Sequence, residues 1–99
     1  MNDKPKHPGI IISELIKNSD MNPSQTANAL GIGRDSLFHL MNQNKNLTAA
    51  LAVRLGKFYG TGTLFWLNKQ IEYDAWHAES KIDVSNIPTI GMHSRRVAA

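Results

Sequence analysis

The sequence predicts an all-α fold in which five helices form a single domain and a short extended tail follows. Apolar residues recur at helical spacing in five segments, and residues typical of helix starts and ends separate those segments. After Lys81 the apolar residues are spaced as in an extended segment up to Pro88, which does not suit a central strand. We therefore divide the chain into a helical domain over residues 1–80 and a tail over residues 81–99.

Composition narrows the class of protein. The 99 residues suit one domain, and the absence of cysteine excludes disulfides and cysteine-ligated metals. The net charge of +3 weakly favours an anionic partner. The chain has no apolar run approaching the roughly 20 residues of a membrane span, and its start lacks the apolar segment of a signal peptide. We expect a cytoplasmic protein that needs no cofactor or metal.

The segment over residues 22–42 predicts two short helices joined by a tight turn. Asn22 is a good N-cap, and Gln25 three residues later completes a capping box. Gly31 ends the first of these helices because glycine readily adopts the left-handed conformation of a sharp exit. Gly33 begins the second. A small residue and four apolar residues fall where two crossing helices would need them: Ala27, Leu30, Ile32, Leu37 and Leu40.

This spacing resembles the helix-turn-helix of phage repressors and their bacterial relatives, in which the second helix enters the major groove of DNA. It implies a lambda-repressor-like domain. A plain helical hairpin within a bundle is the alternative explanation of the same pattern.

Helices are also predicted on both sides of this segment. The first begins at His7 and runs to about Asn18. The fourth has Thr48 as its cap and stops at Gly60. Four residues of the fourth helix are expected to face inward: Leu51, Ala52, Leu55 and Phe58.

The fifth predicted helix has Thr61 as its cap and runs to about residue 79 or 80. Its apolar residues cover more than one stripe, which predicts that two faces are buried. Either the core takes both faces, or one of them contacts another subunit. We predict a two-fold dimer because one helix-turn-helix reads few base pairs, whereas two recognition helices about 34 Å apart match one turn of DNA. The candidate interface residues are Phe65, Trp66, Tyr73, Trp76, Ile82, Val84 and Ile87.

The third helix supplies the candidates for base recognition. Since Leu37 and Leu40 must face the core, the helical period turns the intervening side chains outward. Arg34 is suited to guanine, Asp35 to a cytosine amino group or to holding Arg34, and His39 to a base edge or a phosphate. Outward-facing residues here also include Phe38, which is suited to a thymine methyl group or else packs against a loop.

Candidates for phosphate contacts lie at helix starts and in the polar loop after the third helix. The alternative for each is an ordinary cap or loop residue, and for Ser24 and Gln25 the two explanations are about equal. They are Ser24, Gln25, Ser36, Gln43, Asn44 and Lys45.

The sequence gives little support for an enzyme. The four histidines are scattered, and none forms the i,i+4 pair with a nearby glutamate that a zinc hydrolase needs. No glycine-rich phosphate loop or G-x-S-x-G turn is present.

Four stretches in order resemble one family: HPG at residues 7–9, GIGRDSLFHLMN at 31–42, NKNLTAALAVRLGKFYGT at 44–61 and FWLNKQIEYDAW at 65–76. They are similar to the HigA-type antitoxins, also called the VapI-like group of Xre helix-turn-helix proteins. The last stretch is the most discriminating because plain phage repressors lack it.

The resemblance implies the antitoxin of a type II toxin–antitoxin pair. Such a protein binds a small HigB-like ribonuclease toxin that degrades messenger RNA, and as a dimer it represses its own operon by binding palindromic operator DNA. A stand-alone repressor without a toxin is the alternative, and a protein-interaction module is a third. The chain departs from the family at four positions. Relatives often have glutamate in place of Ile10 and glutamine in place of Pro23. They often have serine or threonine in place of Gly33, and glycine in place of Gln43.

Overall fold

The computed structural model describes residues 4–92, which form five α-helices and no strand. The helices are α1 (Pro8–Lys17), α2 (Pro23–Leu30), α3 (Arg34–Met41), α4 (Ala49–Tyr59) and α5 (Thr63–Lys81). The predicted all-α fold is thereby confirmed. The end of the predicted tail, residues 93–99, lies outside the described residues.

One apolar core joins all five helices. The indole of Trp66 on α5 is fully buried against α4, where Tyr59 lies with its ring centroid 5.8 Å away. α1 crosses α3 closely at Gly9, since a Cβ atom there would collide with the carbonyl oxygen of Leu40. The buried apolar residues are Ile12, Ile16, Ala27, Leu30, Leu37, Leu40, Leu47, Leu51, Ala52, Leu55 and Trp66.

The helix ends around α2 follow local sequence signals. Asn22 Oδ1 accepts the Gln25 amide hydrogen at 2.8 Å, and Gln25 Oε1 accepts that of Asn22 at 2.9 Å, which completes the predicted capping box. Gly31 has φ +74° and ends α2. Thr48 caps α4 through the Leu51 amide, as predicted.

The prediction that Thr61 caps α5 is wrong. Gly62 precedes the helix with φ +85°, and the Thr61 hydroxyl instead donates to the Gly62 carbonyl at 2.9 Å. The start of α5 is set by a tertiary contact with α4. The Gly62 amide donates to the Gly56 carbonyl, and the two glycine backbones lie so close together that a Cβ atom at Gly56 would clash with Gly62. This contact fixes the approach of the chain to α5.

Phe58 of α4 does not face inward as predicted. Its side chain is 37% exposed and lies edge-on to Tyr59, with ring centroids 4.9 Å apart. The buried stripe of α4 contains Leu51, Leu55 and the small Gly56 instead. Phe58 therefore lies at the edge of that stripe.

α5 buries one face within the chain, rather than two. Trp66 and Gln70 are its buried residues, whereas Leu64 and Ile71 are more than half exposed. The intramolecular core therefore takes only one of the two predicted apolar faces. The second face is open in the single chain.

The tail over residues 82–92 is not a continuous extended segment. A turn interrupts the alternation, because the Ile87 amide donates to the Val84 carbonyl at 3.0 Å. The Asp83 carboxylate accepts the Ser85 amide at 2.9 Å and thereby favours the turn over an extended chain. The apolar tail residues remain about 60% exposed or more: Ile82, Val84, Ile87, Ile90 and Met92.

Candidate nucleic-acid interface

α3 presents a polar edge to solvent and an apolar edge to the core. Leu37 and Leu40 are fully buried, while Arg34, Asp35 and His39 are exposed. Phe38 also faces outward and is 39% exposed. The structure thus brings the four predicted base-reading residues to one edge of one helix.

The turn between α2 and α3 is held from outside by Arg54 of α4. Its guanidinium Nη1 donates to the Leu30 carbonyl at 2.8 Å and lies 3.4 Å from the Gly31 carbonyl. These carbonyls lie at the negative end of α2, where a cation is favourable. This role of Arg54 was not predicted, because nothing in the sequence indicates that a basic residue on α4 reaches a turn 23 residues earlier.

The loop after α3 begins with a strained residue. Gln43 has φ +63°, a left-handed conformation that costs a non-glycine residue about 1 kcal/mol. Its amide donates to the Leu40 carbonyl at 3.0 Å, and the Asn44 amide donates to the His39 carbonyl at 2.8 Å. This pair of bonds is a Schellman ending, in which glycine is the usual residue at the left-handed position.

The predicted phosphate-contact residues form two groups. Ser36 and Lys45 are joined by a hydrogen bond of 3.0 Å from the ammonium to the hydroxyl, and Gln43 and Asn44 are exposed beside them. Ser24 and Gln25 lie instead in the first turn of α2, where the side-chain oxygen Oε1 of Gln25 already accepts the Asn22 amide hydrogen in the capping box.

One predicted interface residue is corrected. Trp66 is 0% exposed and belongs to the core, so it cannot lie on a surface between subunits. Phe65 is 40% exposed, and Tyr73 and Trp76 are partly buried.

His7 is buried beneath the loop that carries Lys45. Its side chain is 2% exposed, its Nδ1 accepts the Gly9 amide hydrogen at 2.9 Å, and its ring lies edge-on to Tyr73. Burial lowers the pKa of His7 below its usual value of 6.5, although a hydrogen bond to the Lys45 backbone and the charge of Asp74 oppose the shift. His7 is therefore a neutral cap of α1, whereas the sequence identified it only as the start of the helix.

Residues 4–92 provide neither a metal-ion site nor a membrane-spanning helix. No group of three or more His, Asp or Glu side chains in that range is arranged to hold a metal ion. None of the helices described there combines the length and the apolar character required to cross a bilayer.

The arrangement of α2, its glycine turn and the exposed edge of α3 defines a helix-turn-helix domain of the kind found in bacterial transcriptional regulators. No protein-family model matches the chain. It is 33% identical over 98 residues to the uncharacterized HTH-type transcriptional regulator YbaQ of Escherichia coli K12, with 94% of this chain and 87% of that protein covered.

Solved structures give the same result. A HigA-family addiction module antidote protein from Coxiella burnetii is 35% identical, with a TM-score of 0.78 over 90% of this chain and 100% of that one. The Pseudomonas aeruginosa antitoxin HigA, solved with the higBA promoter, is 29% identical, with a TM-score of 0.73 over 87% of this chain and 97% of that one.

The chain belongs to the HigA-like antitoxins of the Xre helix-turn-helix family. The predicted family resemblance is thereby confirmed. These relatives are regulators and antitoxins and not enzymes, in agreement with the sequence analysis.

The buried neutral His7 predicts that stability falls in mild acid. Because its pKa is lowered only in the folded state, the unfolded chain takes up a proton first as the pH falls below about 6.5, and unfolding is favoured. Protonation at Nδ1 would also break the cap to Gly9. We expect the free energy of unfolding, measured in urea, to decrease between about pH 7.5 and 5.5.

His7→Asn retains a capping side chain without a titrating ring, so its stability should change less over this range. His39→Gln, at an exposed site, is the control and should keep the full decrease. Equal pH dependence in both variants would show that another group is responsible.

Proposed function

We propose that this chain is the antitoxin of a type II toxin–antitoxin module, and that it represses its own operon by binding operator DNA through α3. The observation that carries the proposal is the exposed edge of α3, backed by the fully buried Leu37 and Leu40. Burial of these two residues prevents the helix from rotating, so its polar edge is preorganised for a groove. A relative solved with its promoter supports the same partner.

The side chains on this edge suit base recognition in the major groove. Arg34, in the first turn of α3, can donate two hydrogen bonds to guanine O6 and N7. Asp35 and His39 offer an acceptor and a second polar contact to base edges. Phe38 is exposed enough to cover a thymine methyl group.

Phosphate contacts would flank this edge. Lys45 supplies a cation from the loop after α3, next to the exposed Gln43 and Asn44. Ser24 lies in the first turn of α2, where free backbone N–H groups attract an anion. Such contacts fix the orientation of the protein without reading sequence.

Binding of a small ribonuclease toxin is the second part of the proposal. Membership of the HigA-like family supports it, and the Coxiella relative is described as an addiction module antidote. The stand-alone repressor is less well supported, because the solved relatives include antitoxins.

The toxin partner predicts a growth phenotype. We expect the neighbouring reading frame, expressed alone, to arrest growth, and co-expression of this chain to restore it. The two proteins should also co-purify. If the neighbouring product is harmless, or if it arrests growth that this chain does not restore, the antitoxin role is wrong while DNA binding can still hold.

Two-fold dimerisation would complete the operator-binding unit. The open face of α5 and the exposed apolar side chains of residues 82–90 are the surfaces available for it, now without Trp66. We expect sedimentation equilibrium to give a dimer at micromolar concentrations, and Ile82→Asp with Val84→Asp to shift it toward monomer. A wild-type monomer under these conditions would contradict this interface.

Substitutions in the two groups of DNA contacts should have different effects. Arg34→Ala should reduce the preference for the operator by roughly 1–3 kcal/mol, because it removes a base contact. Lys45→Ala should weaken all duplexes alike and reduce the slope of log affinity against log salt by about one. The measurement is a titration of the DNA upstream of the chain's own gene and of an unrelated duplex at several salt concentrations.

Lys57→Ala, in the last turn of α4 and therefore at the opposite end of that helix from the loop that carries Lys45, is the control and should change neither quantity. If Arg34→Ala and Lys45→Ala bind like the unmodified protein, α3 is not the DNA-reading helix.

A further inference from the structure

The loop that carries Asn44 and Lys45 is tied to α5 by one buried side chain. Gln70 is 5% exposed, and its Oε1 accepts the backbone amide hydrogen of Leu47 at 2.7 Å. The two residues are 23 positions apart in the sequence. This bond satisfies the Leu47 amide, which lies in the buried interior and would otherwise be costly to leave unpaired.

Asp74 orients the amide of Gln70. Gln70 Nε2 donates to Asp74 Oδ1 at 2.9 Å and lies 3.5 Å from Asn46 Oδ1. A carboxylate only accepts hydrogen bonds, so it selects the amide orientation in which nitrogen faces Asp74 and oxygen faces the loop. Asp74 and Gln70 together therefore present a hydrogen-bond acceptor to the loop, and the Leu47 N–H is the donor that pairs with it.

The same stretch of α5 contacts the loop region from a second direction. Tyr73 lies edge-on to the buried His7, with ring centroids 4.9 Å apart, and the Lys45 backbone lies close enough to His7 to affect its pKa. Gln70, Tyr73 and Asp74 of α5 thus lie around the loop and the start of α1. They belong to the FWLNKQIEYDAW stretch at residues 65–76.

We propose that Gln70 is a positioning residue for DNA binding, oriented by Asp74, and that α5 sets the phosphate contacts of the loop through it. The inference rests on the proposed function, since it assigns how the DNA-binding surface is held. Lys45 is two residues from the anchored Leu47, and its ammonium is already directed to Ser36 on α3. An anchored loop holds its cation in place for a phosphate, whereas in a released loop the cost of ordering the cation exceeds the gain from the contact, so that phosphate contact is lost from the complex.

The test compares variants of equal net charge. Gln70→Met is similar in length but lacks the acceptor for Leu47. Gln70→Glu combined with Asp74→Asn restores an acceptor toward the loop and a donor from position 74, with the polarity of the pair reversed. Ile16→Val, a buried change on α1, is the control for a loss of stability that does not involve the loop.

Each protein is titrated, well below its unfolding temperature, with a duplex selected by the unmodified protein from a random-sequence pool. For Gln70→Met we expect the slope of log affinity against log salt to fall by about one, because a phosphate contact is lost. The order of preferred sequences should stay the same, and hydrogen exchange at the Leu47 amide should accelerate. The double variant should restore the salt slope and the slow hydrogen exchange at Leu47, and Ile16→Val should leave the slope unchanged.

Two outcomes would overturn the proposal in distinguishable ways. If Gln70→Met accelerates exchange at Leu47 but keeps the wild-type salt slope, the loop anchor is only structural and the proposed function stands. If the unmodified protein binds no duplex even at low salt, the proposed function fails and the inference fails with it.

Discussion

The burial of Leu37 and Leu40 is the constraint on which the rest of the structure depends. Both side chains are fully buried, and α1 approaches the Leu40 backbone so closely at Gly9 that no side chain fits between them. α3 therefore has one allowed rotation about its axis. With that rotation fixed, the helical period alone places its polar residues along a single exposed edge. The exposed edge of α3 therefore follows from apolar packing, and one of its polar side chains, Ser36, is held in addition by Lys45.

The parts of the fold that the sequence predicted well are those determined by neighbouring residues. The capping box at Asn22 and the left-handed ending at Gly31 involve groups only a few positions apart, so residue type and spacing suffice to identify them. Thr61 failed as a predicted cap because a contact between the distant Gly56 and Gly62 backbones sets the start of α5. A capping rule that considers only neighbouring residues cannot predict such a long-range contact.

Polar side chains with long-range partners were the residues that sequence analysis could not find. Arg54 reaches the end of α2 across 24 positions, and Gln70 reaches Leu47 across 23. In a helical pattern each looks like an ordinary solvent-facing residue, because the period reports only which residues are apolar. Their partners are backbone groups at a turn and in a loop. Because every residue type has such backbone groups, the sequence does not show which of them will be bound. The residues proposed to read bases, by contrast, follow directly from the positions of two leucines, Leu37 and Leu40.

α5 connects the surface proposed to bind DNA with the surface proposed to bind a protein partner. One face buries Trp66 and holds the proposed DNA-contact loop through Gln70, and on the other Leu64 and Ile71 are more than half exposed. A partner on the open face that displaced α5 would change the anchor of Leu47 and with it the loop. Coupling between two binding sites is reciprocal, so DNA that favours the anchored loop would favour the same position of α5. If the proposed toxin binds the open face, one rigid helix is therefore sufficient to couple toxin binding to the proposed operator binding.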